Sequence, residues 1–184
     1  MNELNECLIL VDNSNVFIEG MKFSARRQGM VREAGDDRDP QDWSWRIDFG
    51  SLLREVANGH KIIKAILVGS VPPPSDSVWN AARQEGFEVI THVRAQSGEK
   101  SVDTEIVKQG LQVIYEYKYV HKRPAIMKLL SGDRDFIPLI QTAYEEGWEN
   151  ELWGFRSSIS NEMGQMVHRV KLLDEVFERI GKRS

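Results

Sequence analysis

The chain has 184 residues, 41% hydrophobic and 28% charged, which supports one real core and argues against wholesale disorder. Its formal net charge is −4 and its pI is near 5.6, which excludes a protein that grips nucleic acid by bulk positive charge. A single cysteine, Cys7, excludes an internal disulfide and a cysteine-rich zinc site; it reads as a small apolar residue in a buried strand.

The first signal along the chain is Cys7-Leu8-Ile9-Leu10-Val11-Asp12, an apolar run without alternation that suits a strand covered on both faces of a parallel sheet. It stops at Asp12-Asn13-Ser14-Asn15, all turn and N-cap residues, and Val16, Phe17 and Met21 then predict a helix. Residues 24–46 are polar, mixed in charge and end in Trp43-Ser44-Trp45, so they predict an inserted loop. Helical spacing returns at Phe49, Leu52, Leu53 and Val56 and closes at Asn58-Gly59. A second strand over Ile62–Gly69 is broken by Pro72-Pro73-Pro74 and followed by a short helix from about Ser77 to Glu85. A third strand covers Phe87–Thr91, and Arg94 to Lys100 reads as a loop. Val102, Ile106, Gly110, Val113, Ile114 and Tyr117 recur at helical spacing. A fourth strand over Ala125–Leu130 ends at Ser131-Gly132-Asp133, a helix runs from Phe136 to Glu146, and a fifth strand covers Glu151–Phe155. The tail from about 158 reads as helical, its basic and acidic residues interleaved as on a solvated helix. Strands alternating with helices predict an α/β chain with a mostly parallel, five-stranded sheet, organised as one domain over 1–184. The acidic first residues do not make a signal peptide, and no apolar run approaches the ~20 residues that span a bilayer. The expectation is a soluble cytoplasmic protein without membrane contact.

Open α/β sheets build their sites at the carboxyl ends of strands, where strand order reverses. Asp12 follows the first predicted strand, Asp133 and Asp135 follow the fourth, and Asp103 begins the long helix. If the first and fourth strands are neighbours, these four acids converge. Two carboxylates ~4 Å apart repel by about 4 kcal/mol at an effective dielectric of ~20, and a hard divalent cation removes that cost. Such an ion suits phosphodiester cleavage, which calls for carboxylates rather than histidine or thiol. Each acid also has a purely structural reading. Asp12 can cap the following helix, Asp103 can answer its helix dipole, Asp133 can serve the turn at Gly132, and Asp135 can cap the helix that starts Phe136-Ile137-Pro138.

Three stretches resemble the motifs of NYN domains, in the family's order: Leu8-Ile9-Leu10-Val11-Asp12-Asn13-Ser14-Asn15, Lys100-Ser101-Val102-Asp103, and Leu130-Ser131-Gly132-Asp133-Arg134-Asp135-Phe136-Ile137-Pro138-Leu139. The nearest group is the LabA-like branch of the PIN-like ribonuclease superfamily, and the resemblance covers about residues 7 to 155. It implies a Rossmann-like, three-layer sandwich with the first strand central and the fourth beside it. It implies a Mg²⁺- or Mn²⁺-dependent endoribonuclease that acts on single-stranded or structured RNA and leaves a 5′-phosphate and a 3′-hydroxyl. Carried over by motif, Asp12, Asp103 and Asp133 become metal ligands, and Asp135 a ligand or the holder of a metal-bound water. Asn13 and Asn15 support the site, and Ser131 orients Asp133. Many relatives carry a second acid further along the helix, where this chain has Lys108-Gln109; Glu105 lies two residues past Asp103 and faces elsewhere.

Arg94, Lys100 and Arg134 fall at the expected rim, where cations would position RNA phosphates, although solvated surface charge accounts for them equally well. Trp43 and Trp45 could stack on bases, anchor their loop to the core, or suit a homodimer contact. The four histidines show no ligand spacing. Two other functions stay open on the residues alone. One is a regulatory or RNA-binding module that keeps the fold without activity. The other is a haloacid-dehalogenase-like phosphatase, against which Ser14 stands where that chemistry needs a second acid.

Overall fold

A computed structural model describes residues 4–71, 76–93 and 100–184. In chain order the elements are β1 (Glu6–Asp12), α1 (Asn13–Arg27), β2 (Trp45–Ile47), α2 (Phe49–Ala57), β3 (Lys61–Val71), α3 (Asp76–Gln84) and β4 (Glu88–Val93). Then come α4 (Lys100–Glu116), a π-helical turn over Tyr117–His121, β5 (Ile126–Leu130), a 3₁₀ turn over Arg134–Phe136, α5 (Ile137–Glu145) and β6 (Glu149–Gly154). The chain ends in α6 (Asn161–Met166), β7 (Arg169–Leu172), α7 (Leu173–Ile180) and β8 (Gly181–Arg183). The expected break at Pro72–Pro74 and the loop around Arg94 lie outside the described residues.

The main sheet has the order β4-β3-β1-β5-β6-β7, and every pairing within it is parallel. β1 is central because its residues have no polar face: Cys7 through Asp12 are all buried. Cys7, Ile9 and Val11 pack with Val16 and Met21 of α1, Leu52 and Val56 of α2, and Phe177 of α7. Leu8 and Leu10 point the other way, onto Ile106 and Val113 of α4 and Leu139 of α5. The result is a three-layer sandwich with β5 beside β1, as the sequence predicts. Burial pushes the Cys7 thiol up to about 11, so it is an inert part of this core.

Two expectations are corrected. The sheet has six strands, not five, because Arg169–Leu172 forms β7 where a helical tail was expected. Arg169 ties this charged edge strand to its neighbour through Glu149 (2.6 Å) and Glu151 (3.1 Å), which no local pattern announces. The loop over 24–46 is also shorter than expected, because α1 continues to Arg27 and Trp45 opens β2, which pairs antiparallel with β8. Buried Asp42 anchors what remains, accepting from Ser24 Oγ (2.5 Å), Gln28 Nε2 (2.5 Å) and Ser44 Oγ (2.6 Å).

The two tryptophans have opposite fates. Trp45 is 2% exposed and stacks on Phe177 at 5.5 Å, while Trp43 is 67% exposed. A Cβ on Gly20 or Gly181 would lie 2.3 or 2.1 Å from the Trp45 ring, so both positions need glycine for the ring to fit. Trp45→Ala is expected to destabilise by about 3–5 kcal/mol, read as a fall in the urea midpoint. A loss under about 1 kcal/mol would mean that the loop is not pinned through this ring.

Candidate metal centre

The chain leaves β1 toward β3 on one side of the sheet and leaves β5 toward β6 on the other. The carboxyl ends of β1 and β5 therefore flank the switch point, the place where an open parallel sheet leaves a crevice. Asp12 is the last residue of β1, and Ser131-Gly132-Asp133 follows β5 directly.

Hydrogen bonds lace the two strand ends together. Asp12 Oδ1 accepts from Asn15 N at 3.3 Å, capping α1, and Oδ2 accepts from Ser131 Oγ at 3.1 Å. Ser131 Oγ accepts in turn from Asp133 N at 3.2 Å, and Asn15 Oδ1 accepts from Gly132 N at 3.3 Å. Asp133 Oδ1 accepts from Asp135 N at 2.9 Å and so caps the 3₁₀ turn. The structural readings of Asp12 and Asp133 thus hold together with the functional ones, since an N-cap uses one carboxylate lone pair of several. Asp135 is not the cap. Gly132 is sterically required: a Cβ there would lie 2.1 Å from the Ser158 carbonyl oxygen.

Asp103 enters from the first turn of α4. Its carboxylate, with those of Asp133 and Asp135, offers oxygens all within 4.8 Å of one another. Asp12, Asp103 and Asp133 line one cavity of about 120 Å³ with Asn15, Ser14 and Ile18. Glu19 lines it too, a carboxylate that the sequence reading missed. Its spacing was the available signal: Glu19 is one helical turn beyond Asn15 on the same face of α1. Its carboxylate accepts from Ser157 Oγ at 3.3 Å and pairs with Lys22 at 3.4 Å.

The cluster is electrically uncomfortable. Burial, with the charges of Asp133, Asp12 and Asp135, pushes the Asp103 carboxyl up from 3.8 to about 7. An all-oxygen donor set that can shed its excess charge only by holding a proton fits a hard divalent cation. Folding of the metal-free chain takes up this proton between about pH 4 and 7, so stability falls as pH rises through that window. Asp103→Asn removes the dependence. Without metal at pH 8 the variant is expected to melt a few degrees above wild type, for about 1–2 kcal/mol after allowance for solvent screening, and the gap closes toward pH 4. A melting curve of the variant that tracks wild type at every pH would contradict this.

The other expected residues fall as follows. Asn13 is buried, its Oδ1 without a hydrogen-bond partner among the described residues. Arg134 is exposed and pairs with Glu162. Arg94 and the Lys100 side chain lie outside the described residues. Glu105 is turned away as the sequence suggested, accepting from Gln109 Nε2 at 2.9 Å and facing His92 at 3.9 Å.

The family model for the NYN domain matches residues 7–171. The chain belongs to the NYN-domain family. This is a domain of the PIN-like ribonuclease superfamily, and the match extends past the motifs through β7. No curated protein matches the chain. Among solved structures, a protein of unknown function from Vibrio parahaemolyticus, VPA0982, aligns with a TM-score of 0.67 at 16% identity, over 95% of this chain and 98% of that one. It shares the fold. No helix among the described residues is long and apolar enough to cross a membrane.

Proposed function

We propose that this NYN domain is a divalent-metal-dependent ribonuclease that hydrolyses RNA phosphodiester bonds internally. The observation that carries the reading is the gathering of Asp103, Asp133 and Asp135 within 4.8 Å, beside Asp12, at the switch point of the sheet. Asp12, Asp103, Asp133 and Asp135 would hold the ion. When bound, Mg²⁺ or Mn²⁺ supplies a counter-charge for the leaving oxygen and lowers the pKa of water.

The chain's own residues supply the positioning. Ser131 holds Asp12 with its hydroxyl and Asp133 through its backbone N–H, so the two strand ends present their carboxylates in fixed register. Asn15 grips the Gly132 N–H and keeps the loop from opening. Attack in line by water would leave a 5′-phosphate and a 3′-hydroxyl.

The test is incubation of a labelled single-stranded RNA with the protein and Mn²⁺, with EDTA and Asp12→Asn as controls. Asparagine caps α1 as well as aspartate does, so that variant keeps the fold. Internal cleavage lost in both controls supports the proposal. Retention of RNA without cleavage would support the inactive, RNA-binding alternative instead.

A further inference from the structure

The carboxylate cavity has a larger neighbour. Ser14 and Ile18 line both, and the second cavity, of about 920 Å³, extends between α1, the segment before β2, and α3. Its surface combines apolar, aromatic and charged groups. Phe17 and Val78 give it apolar walls. Trp43 stands at it with 67% of its surface exposed, although the other four tryptophans of the chain are each 4% exposed or less. Arg46 holds the Trp43 backbone through Nη1, which donates to the Trp43 carbonyl at 2.5 Å, and with Lys182 it places two cations along the same cavity, which the carboxylates of Asp48 and Glu85 also line. Asn13 lines it as well, only 4% exposed, with Oδ1 lacking any hydrogen-bond donor. A buried acceptor left unpaired is costly, and a turn of the Asn13 side chain toward the cavity would let a ligand N–H satisfy it.

We propose that this cavity is the subsite for an unstacked base of single-stranded RNA, next to the phosphate held at the carboxylates. The nature of that phosphate rests on the ribonuclease reading. An aromatic face exposed to solvent offers a stacking platform for any base. The cations answer the flanking phosphates, and the Asn13 oxygen answers a base-edge N–H. Ser14 and Ile18, which line both cavities, put the base near the bond to be cut. In a duplex the base faces are stacked away, so this cavity selects single strands.

The test uses the Asp12→Asn protein in Mg²⁺, so that binding is read without turnover. The probes are a single-stranded RNA hexamer of mixed sequence, its blunt duplex, and a base-free ribose-phosphate strand of the same length. Tryptophan fluorescence reports the site, because Trp43 is the exposed one of the five. The hexamer is expected to quench it, with the duplex and the base-free strand each bound at least tenfold more weakly. Adding Trp43→Ala, a surface change that leaves the core alone, is expected to weaken hexamer binding roughly tenfold, and adding Asn13→Ala roughly fivefold. Equal affinity for the base-free strand, equal affinity for the duplex, or wild-type affinity in the Trp43→Ala protein would each overturn the proposal. Base-dependent binding, with a wild-type protein that cuts nothing in Mn²⁺, would end the ribonuclease reading and leave this one standing. Cleavage with base-independent binding would do the reverse.

Discussion

Asp133→Asn is expected to lower RNA hydrolysis in Mn²⁺ by about 10²–10³-fold, the scale on which a positioned charge at a reacting phosphate matters. Its carboxylate and those of Asp103 and Asp135 lie within 4.8 Å of one another, and it is the charge that presses hardest on Asp103. The substitution is mild everywhere else. Asparagine can still accept from Asp135 N and cap the 3₁₀ turn, and Ser131 still holds the backbone N–H at position 133. Without metal, the variant is expected to melt no lower than wild type at pH 8, because a charge that presses on Asp103 is gone. The pair of results separates chemistry from folding. A variant that loses activity together with several degrees of melting temperature would assign Asp133 to the turn rather than to the site.

Lys128→Ala is expected to be the most destabilising single change in the sheet, at about 3–5 kcal/mol by urea unfolding. The ammonium is completely buried, yet satisfied. Nζ donates to the Val56 carbonyl at 2.7 Å and the Ala57 carbonyl at 3.0 Å, which are among the last carbonyls of α2 and have no partner inside the helix. It also donates to His60 Nδ1 at 2.9 Å and lies 3.5 Å from Glu151. Burial pulls the lysine pKa down, and Glu151 offsets part of that. Glu151 is itself held below its ordinary range: Lys128, the Trp153 indole N–H and Arg169 together outweigh its burial. Truncation leaves the Val56 carbonyl without its donor, takes one donor from the Ala57 carbonyl, which keeps His60 N at 2.9 Å, and opens a cavity beside them. Lys128→Met fills much of the cavity and is expected to cost less than alanine but still more than about 1 kcal/mol, since the Val56 carbonyl stays unpaired. Equal, small losses for both variants would mean that α2 does not depend on this cap.

Those parts of the fold that build the site were legible because they are buried on both faces. Parallel core strands such as β1 and β5 read as unbroken apolar runs, and a polar residue that ends such a run marks the strand's carboxyl end. Asp12 and Asp133 could therefore be placed at strand ends from sequence, while the central place of β1 with β5 beside it came from the NYN resemblance. The illegible parts depend on partners far along the chain. Trp45–Ile47 and Gly181–Arg183 are three-residue strands that exist only because each meets the other. β7 carries Arg169 and Lys171 and becomes a strand by pairing with Glu149 and Glu151 on β6. In isolation its charges mimic a solvated helix. Trp43 and Trp45 show the same limit two residues apart: the glycine gaps at Gly20 and Gly181 decide which ring is swallowed, and neither gap is local. Asn13 read as a supporting residue of the carboxylates. In the structure the residue also lines the large cavity, which lies between α1 and α3 and follows from no local pattern.

The central claim is that Asp12, Asp103, Asp133 and Asp135 share a crevice whose charge is relieved either by a proton on Asp103 or by a bound cation, and a melting curve against Mn²⁺ above the pH where that proton is held tests it without any substrate. An ion present at ~100 times its dissociation constant stabilises the folded state by about 2.7 kcal/mol, which for a chain of this size is a rise of about 5–10 °C. Wild type is expected to show that rise at pH 8, and Asp133→Asn to lose most of it. A wild-type curve that does not move with Mn²⁺, or a variant that moves as far, would contradict the account.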